Sequence, residues 1–216
     1  MKGFVFDLDG TMIDNMMIHH RAWQQKLAEL GIDMSLEEVM EKIHGVNVEI
    51  LERLFGDRFT PEQRVQISQE KEAAYRRIFA PQLQLMPGLQ AFLEEARAAG
   101  IPMAIGTAAP PDNANFVVDQ LGIRDYFAGV FHAGDVSRGK PDPQVFELAA
   151  ESMQLNLSDC LVFEDSPTGA EAARRGGAKA VILTTTHHPE EFSHLPHIQK
   201  FMADYQDFSP QQALAF

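Results

Sequence analysis

Basic side chains are scarce in this chain. Only 18 Lys and Arg stand against 31 Asp and Glu, for a formal net charge of −13 over 216 residues. That balance argues against a nucleic-acid partner, because non-specific phosphate-backbone binding needs clustered Lys and Arg. Cysteine is nearly absent. The single Cys160 excludes an internal disulfide and points to a reducing cytoplasm; a semi-buried filler is its expected role, not a nucleophile. No stretch approaches the roughly 18 apolar residues of a membrane span, so no membrane partner is expected. The opening MKGFVFDLDG holds two aspartates by position 9, unlike the apolar region of a signal peptide. Internal repeats and low-complexity tracts are missing as well.

What is present is ordinary globular composition, 45% hydrophobic and 23% charged. A chain of this length can bury roughly 70% of its unfolded surface. Short apolar runs predict strands at Gly3–Asp7, Pro102–Thr107, Val130–His132, Leu161–Glu164, Ala178–Leu183 and, after a histidine-bearing tail, near Gln199–Met202. The tail holds His187, His188, His194 and His197; a surface connection explains them better than a metal cluster. Helices are expected along Leu89–Ala96, through Phe116–Leu121, after Pro143 and over Pro167–Arg175. Between about Asn15 and Leu85 the pattern predicts no strand. It predicts three helices: one through Ile18–Leu30 stopped by Gly31, one capped by Ser35 with Glu38, and a longer one capped by Thr60 with Gln63. This segment is small for an independent core and is expected to pack as a lid. Alternation elsewhere predicts an α/β fold, a mostly parallel sheet with helices on both faces.

Charge is unevenly divided. Residues 15–84 hold nine basic and 11 acidic side chains, leaving nine basic and 20 acidic for the remainder. Open α/β sheets bind ligands beyond the carboxyl ends of their strands, and several of these acids fall there, which suggests a cation site. Four strand tips carry reactive types: Asp7 and Asp9 in DLDGT, Thr107 in IGT, Lys140 in GKPDP, and Glu164–Asp165 in FEDS. Taken singly, each has a bland reading, as an acidic turn, a capping hydroxyl, a solvated loop lysine or a helix start. Together they suit phosphoryl transfer. A carboxylate can attack phosphorus and split one difficult displacement into two. Two anions approach only when positive charge screens them, which calls for Mg²⁺ on hard oxygen ligands, helped by Lys140 and the Thr107 hydroxyl. An aspartate two residues on can protonate the leaving oxygen and then activate water.

These four motifs resemble those of the haloacid-dehalogenase-like (HAD) hydrolase superfamily, in the branch of β-phosphoglucomutase and small sugar-phosphate phosphatases. The resemblance covers residues 3–184 and implies a Rossmann-like core over 1–14 and 86–216, with a helical cap over 15–85 inserted after the first strand. It implies Asp7 as nucleophile and Asp9 as general acid and base. Thr107, Lys140 and the Ala108 N–H would hold the phosphoryl group. Mg²⁺ would sit on Asp7, the Asp9 carbonyl and Asp165, with Glu164 beside it. A cap of this size implies an enzyme that works as a monomer on a small phosphorylated molecule.

In the cap, His19–Trp23 (HHRAW) matches a mutase stretch, implying that His19 helps to set Asp9, and Lys71 corresponds to a lysine facing the sugar. The plainer alternative is that His19 and Trp23 pack a helix. Three positions depart from the mutase pattern: Val48, Ala109 and Pro110 stand where the mutase keeps arginine, serine and lysine for its second phosphate. The expectation is therefore a Mg²⁺-dependent sugar-phosphate phosphatase. A phosphosugar mutase is the alternative enzyme, and a non-catalytic phosphate-binding or phosphoacceptor protein the alternative from another class.

Overall fold

The computed structural model describes all residues from Met1 to Phe216. The chain forms two compact units, one of Met1–Asp14 with Gln84–Phe216 and one of Asn15–Leu83. The first unit is built on six parallel strands, β1 (Gly3–Phe6), β2 (Met103–Gly106), β3 (Val130–Phe131), β4 (Cys160–Glu164), β5 (Lys179–Leu183) and β6 (Ile198–Met202). Their order is β3-β2-β1-β4-β5-β6, the doubly wound arrangement in which chain direction switches beside β1.

The second unit holds α1 (Met16–Glu29), α2 (Leu36–Lys42), α3 (Asn47–Phe55) and α4 (Pro61–Phe79). Back in the first unit, α5 (Leu89–Ala98), α6 (Pro111–Gln120), α7 (Gln144–Ser152), α8 (Pro167–Arg175) and α9 (Pro210–Leu214) complete the fold. Strand alternation divides the core of this unit. Val5, Ala104, Val162 and Ala180 pack with Val145, Phe146 and Ala149 of α7 and Ala172 of α8. Phe4, Phe6 and Phe163 point the other way. Phe6 stacks on Phe163 at 4.6 Å, and Phe4 meets Phe92 of α5 at 5.6 Å. Each such phenylalanine contributes about 1.5–3 kcal/mol by leaving water, so this sheet centre is a rigid base for the strand tips.

The helical unit closes on Trp23, Leu27, Val39, Ile43, Ile50, Leu51 and Ile67. Both expected capping boxes form: Ser35 Oγ accepts from Glu38 N–H at 3.2 Å, and Thr60 Oγ1 from Gln63 N–H at 3.3 Å. The unit contains four helices rather than the expected three. α3 was hidden because Val46 at its N-cap offers no side-chain cap, and its buried stripe is only Ile50 and Leu51. The terminal α9 was also unexpected, although Ser209 and Gln212 form a capping box there. β1 ends at Phe6 rather than Asp7. The histidine tail contributes to no cluster of three or more metal-ligating side chains.

Candidate active site

The ends of β1 and β4 lie level, because Phe6 pairs with Phe163 and the Asp7 N–H donates to the Phe163 carbonyl at 2.9 Å. Asp7 therefore emerges beside Glu164. Lys140, from the loop before α7, brings its ammonium to both, 2.6 Å from Asp7 Oδ1 and 2.8 Å from Glu164 Oε1. The lysine stem is also buried, with Nζ 4.3 Å from the Phe146 ring centroid. Asp165 completes the group. Oxygens of Asp7, Glu164 and Asp165 lie within 4.8 Å of one another, and all three residues are buried.

Glu164 is the best held of the three. Its Oε2 accepts from the N–H of Asp165 at 2.7 Å, the N–H of Ser166 at 2.6 Å and Ser166 Oγ at 3.0 Å. Ser166 Oγ in turn accepts from Gly169 N–H and caps α8. Gly169 has to lack a side chain: a Cβ there would stand 1.6 Å from Glu164 Oε1. Gly10 has the same duty on the other loop. Its φ of +74° suits glycine, and a Cβ would stand 2.2 Å from Asp165 Oδ2. The tight turn at Gly10 is the one its sequence predicts; that both glycines also make room for carboxylates was not predicted.

The electrostatics follow from counting charges in a dry place. Burial pushes the Asp7 carboxyl up to about 7, with Lys140 pulling it down and Glu164 and Asp9 pushing it further up. Burial also raises Asp165 well above its ordinary value, reinforced by Glu164 and Asp7. Burial acts against Glu164 as well, but Lys140 and the backbone donors overcome it and hold its carboxyl below the usual value. Lys140 is kept charged despite burial by the two carboxylates on it. One ammonium thus serves three carboxylates, and a divalent cation on their oxygens would restore the balance.

Thr107, just past β2, is buried. Its N–H donates to the Phe131 carbonyl at 2.9 Å, and its Oγ1 accepts from Ala109 N–H at 3.1 Å. Ala108, between them, is exposed. Asp9 is half-buried in the turn where Gly10 N–H donates to the Ile13 carbonyl at 2.8 Å. Thr185 and Thr186, which motif reading passed over, also reach this region. Thr185 Oγ1 donates to the Gly10 carbonyl at 2.5 Å, and Thr186 Oγ1 donates to Asp165 Oδ2.

The helical unit brings its own two expected residues together. Lys71 is 2% exposed, and its ammonium lies 2.9 Å from His19 Nδ1 and 2.9 Å from Glu72 Oε1. An ammonium can only donate, so Nδ1 accepts and the ring proton belongs on Nε2. Burial, then Lys71, lowers the His19 pKa to about 3, so the ring is neutral. His19 stacks flat on Tyr75 at 4.0 Å, Lys71 lies over Trp23, and Asn47 donates to Glu72 at 2.7 Å. Burial pushes Glu72 up, but Lys71, His19 and Asn47 bring its carboxyl below the usual value. Glu72 carried no motif, and only its place beside Lys71 pointed to it.

The family model for haloacid dehalogenase-like hydrolases matches residues 1–177. Protein CbbY of Cupriavidus necator is 30% identical over 203 residues, spanning 86% of this chain and 79% of that protein. Fructose-1-phosphate phosphatase YqaB of Escherichia coli is 28% identical, spanning 83% of this chain and 94% of that one. A β-phosphoglucomutase from Clostridium difficile shares the fold with a TM-score of 0.79, at 24% identity over 98% of this chain and 94% of the other. The four strand tips, the doubly wound sheet and these likenesses agree, and the chain belongs to the haloacid dehalogenase-like hydrolase family.

Proposed function

We propose that this protein is a Mg²⁺-dependent phosphatase acting on a small phosphate monoester of the sugar-phosphate class. The observation that carries the reading is the single ammonium of Lys140 set among three buried carboxylates, Asp7, Glu164 and Asp165. The fit to Mg²⁺ is good on chemical grounds: the donors are hard oxygens, two of the three carboxyls are pushed toward protonation, and Gly10 leaves space where a Cβ would strike Asp165. Asp7 and Asp165, with the Asp9 carbonyl and Glu164 beside them, would hold the ion. Bound there, it would offset the repulsion between Asp7 and the phosphoryl oxygens.

In this reading an Asp7 oxygen attacks phosphorus and the ester bond breaks as the aspartyl phosphate forms. Asp9 gives its proton to the leaving oxygen. Asp9 then takes a proton from water, which attacks the same phosphorus and frees phosphate and the Asp7 carboxylate. Lys140 steadies Asp7, while the Thr107 hydroxyl and Ala108 N–H hold the phosphoryl oxygens. In this reading the inserted helical unit is a cap of the family's kind, and His19 and Lys71 are its substrate-binding residues. Lys71 is already matched by Glu72, and Val48, Ala109 and Pro110 offer no side-chain donors. The lack of donor side chains at Val48, Ala109 and Pro110 favours hydrolysis over the mutase reading. The Escherichia coli relative, a phosphatase of fructose 1-phosphate, supports the substrate class.

Phosphorus NMR on a panel of sugar monophosphates, with Mg²⁺ and a bisphosphate primer present, tests this directly. Inorganic phosphate should be the main product, and chelation should abolish its release until Mg²⁺ returns. Isomerisation outrunning phosphate release would establish the mutase instead.

A further inference from the structure

Beyond residue 177, where the family model stops, the chain returns three hydroxyl groups to the two loops that carry the carboxylates. Thr185 Oγ1 donates to the Gly10 carbonyl at 2.5 Å. Tyr205, buried beneath the sheet's aromatic side, donates its OH to the Thr11 carbonyl at 3.3 Å. Thr186 Oγ1 donates to Asp165 Oδ2 and also lies 3.4 Å from the Asp165 carbonyl. The segment is itself anchored, because Thr184 N–H donates to the Met202 carbonyl at 2.9 Å and Tyr205 N–H to the Pro87 carbonyl at 2.9 Å.

Thr186 differs from the other two in touching a carboxylate rather than a backbone carbonyl. Asp165 Oδ2 lies between that hydroxyl and the α-carbon of Gly10, where a Cβ would come within 2.2 Å. A carboxylate with one oxygen tied down presents the other in a fixed direction. A hydroxyl suits the task because it rotates to the acceptor and adds no charge to a cluster already rich in anions.

We propose that Thr186 is a positioning residue for Asp165: its hydroxyl holds Oδ2 against Gly10, so that Oδ1 is the oxygen turned toward the divalent cation. The inference rests on the Mg²⁺-dependent reading above. It adds a residue outside the four strand-tip motifs, one whose effect is on metal affinity rather than on the reacting phosphorus.

The test is calorimetric titration of Mg²⁺ into the metal-free full-length protein, in wild type, Thr186→Val and Thr186→Ser. Removing a hydrogen-bond partner of a metal ligand should weaken Mg²⁺ binding roughly 10-fold in the valine variant, while serine stays within about twofold of wild type. The Mg²⁺ concentration for half-maximal phosphate release should rise in parallel, with the KM for the sugar phosphate at saturating Mg²⁺ unchanged. Thr186 is only half-buried, and Thr186→Ala provides the same readout should the branched apolar side chain impair folding. Wild-type Mg²⁺ affinity in the valine and alanine variants would overturn the inference alone. Failure of the wild-type protein to bind Mg²⁺ would overturn the functional reading, and this inference with it.

Discussion

Each unit of the molecule sets a lysine beside acids, and the clusters around Lys140 and Lys71 come out differently. In the α/β unit, Lys140 touches Asp7 and Glu164 while Asp165 stands close by as a third carboxylate. In the helical unit, Lys71 touches the Glu72 carboxylate and the neutral ring of His19. The consequences appear in the carboxyl groups. Desolvation moves Asp7 up to about 7 and raises Asp165, whereas Glu72 ends below its usual value because its neighbours outweigh burial. A buried ammonium matched by a carboxylate can act as a polar fastening between helices. An unbalanced cluster is stable only if it protonates or takes up a cation. Similar ingredients therefore leave the Lys71 cluster matched in charge and the Lys140 cluster in need of a cation.

The sharpest way to break this contrast is Asp7→Asn. It should leave the fold intact and lower kcat by at least roughly 10³-fold, because no other group can replace the attacking oxygen. Phosphate release by the purified, folded variant checks it, and turnover near wild type would remove the α/β cluster from the chemistry. A smaller effect is expected from the helical cluster and should fall on stability. Lys71→Met leaves Glu72 buried without its cation, which costs about 3 kcal/mol, whereas the double variant Lys71→Met/Glu72→Gln should recover most of that loss. Denaturant unfolding of the two variants measures the difference. Equal destabilisation would show that the charges are not balanced against each other.

A further expected effect concerns pH. His19 has a folded-state pKa of about 3 against an ordinary value of 6.5. Between those values the unfolded chain binds a proton that the folded chain refuses, so stability present above pH 6.5 is lost as pH falls toward 3. Thermal unfolding from pH 7 to pH 4 should therefore fall more steeply for wild type than for His19→Gln. Parallel profiles would mean that the ring is not held neutral in the fold.

Much of the active centre was legible before the structure because strand tips are legible. A buried parallel strand reads as an apolar run, and a charged residue at its end marks where the chain leaves the sheet, as at Phe6–Asp7 and Phe163–Glu164. Register then brings distant tips together. The supporting residues were not legible because their roles depend on how side chains and loops meet in space. Nothing about Gly169 predicts that its missing Cβ makes room for Glu164, nor about Thr186 that it reaches Asp165. The partnership of His19, Lys71 and Glu72 depends on how α1 and α4 pack. α3 escaped notice because its start lacks a capping side chain, so burial of Ile50 and Leu51 had to supply what local chemistry did not.

The central claim is that the unbalanced cluster is the one that takes a divalent cation. Calorimetric titration of Mg²⁺ into wild type, Asp165→Asn and Glu72→Gln at neutral pH tests it most directly. The account expects one Mg²⁺ site in wild type, unchanged in Glu72→Gln and lost or greatly weakened in Asp165→Asn. Mg²⁺ binding that survives in Asp165→Asn and disappears in Glu72→Gln would contradict it.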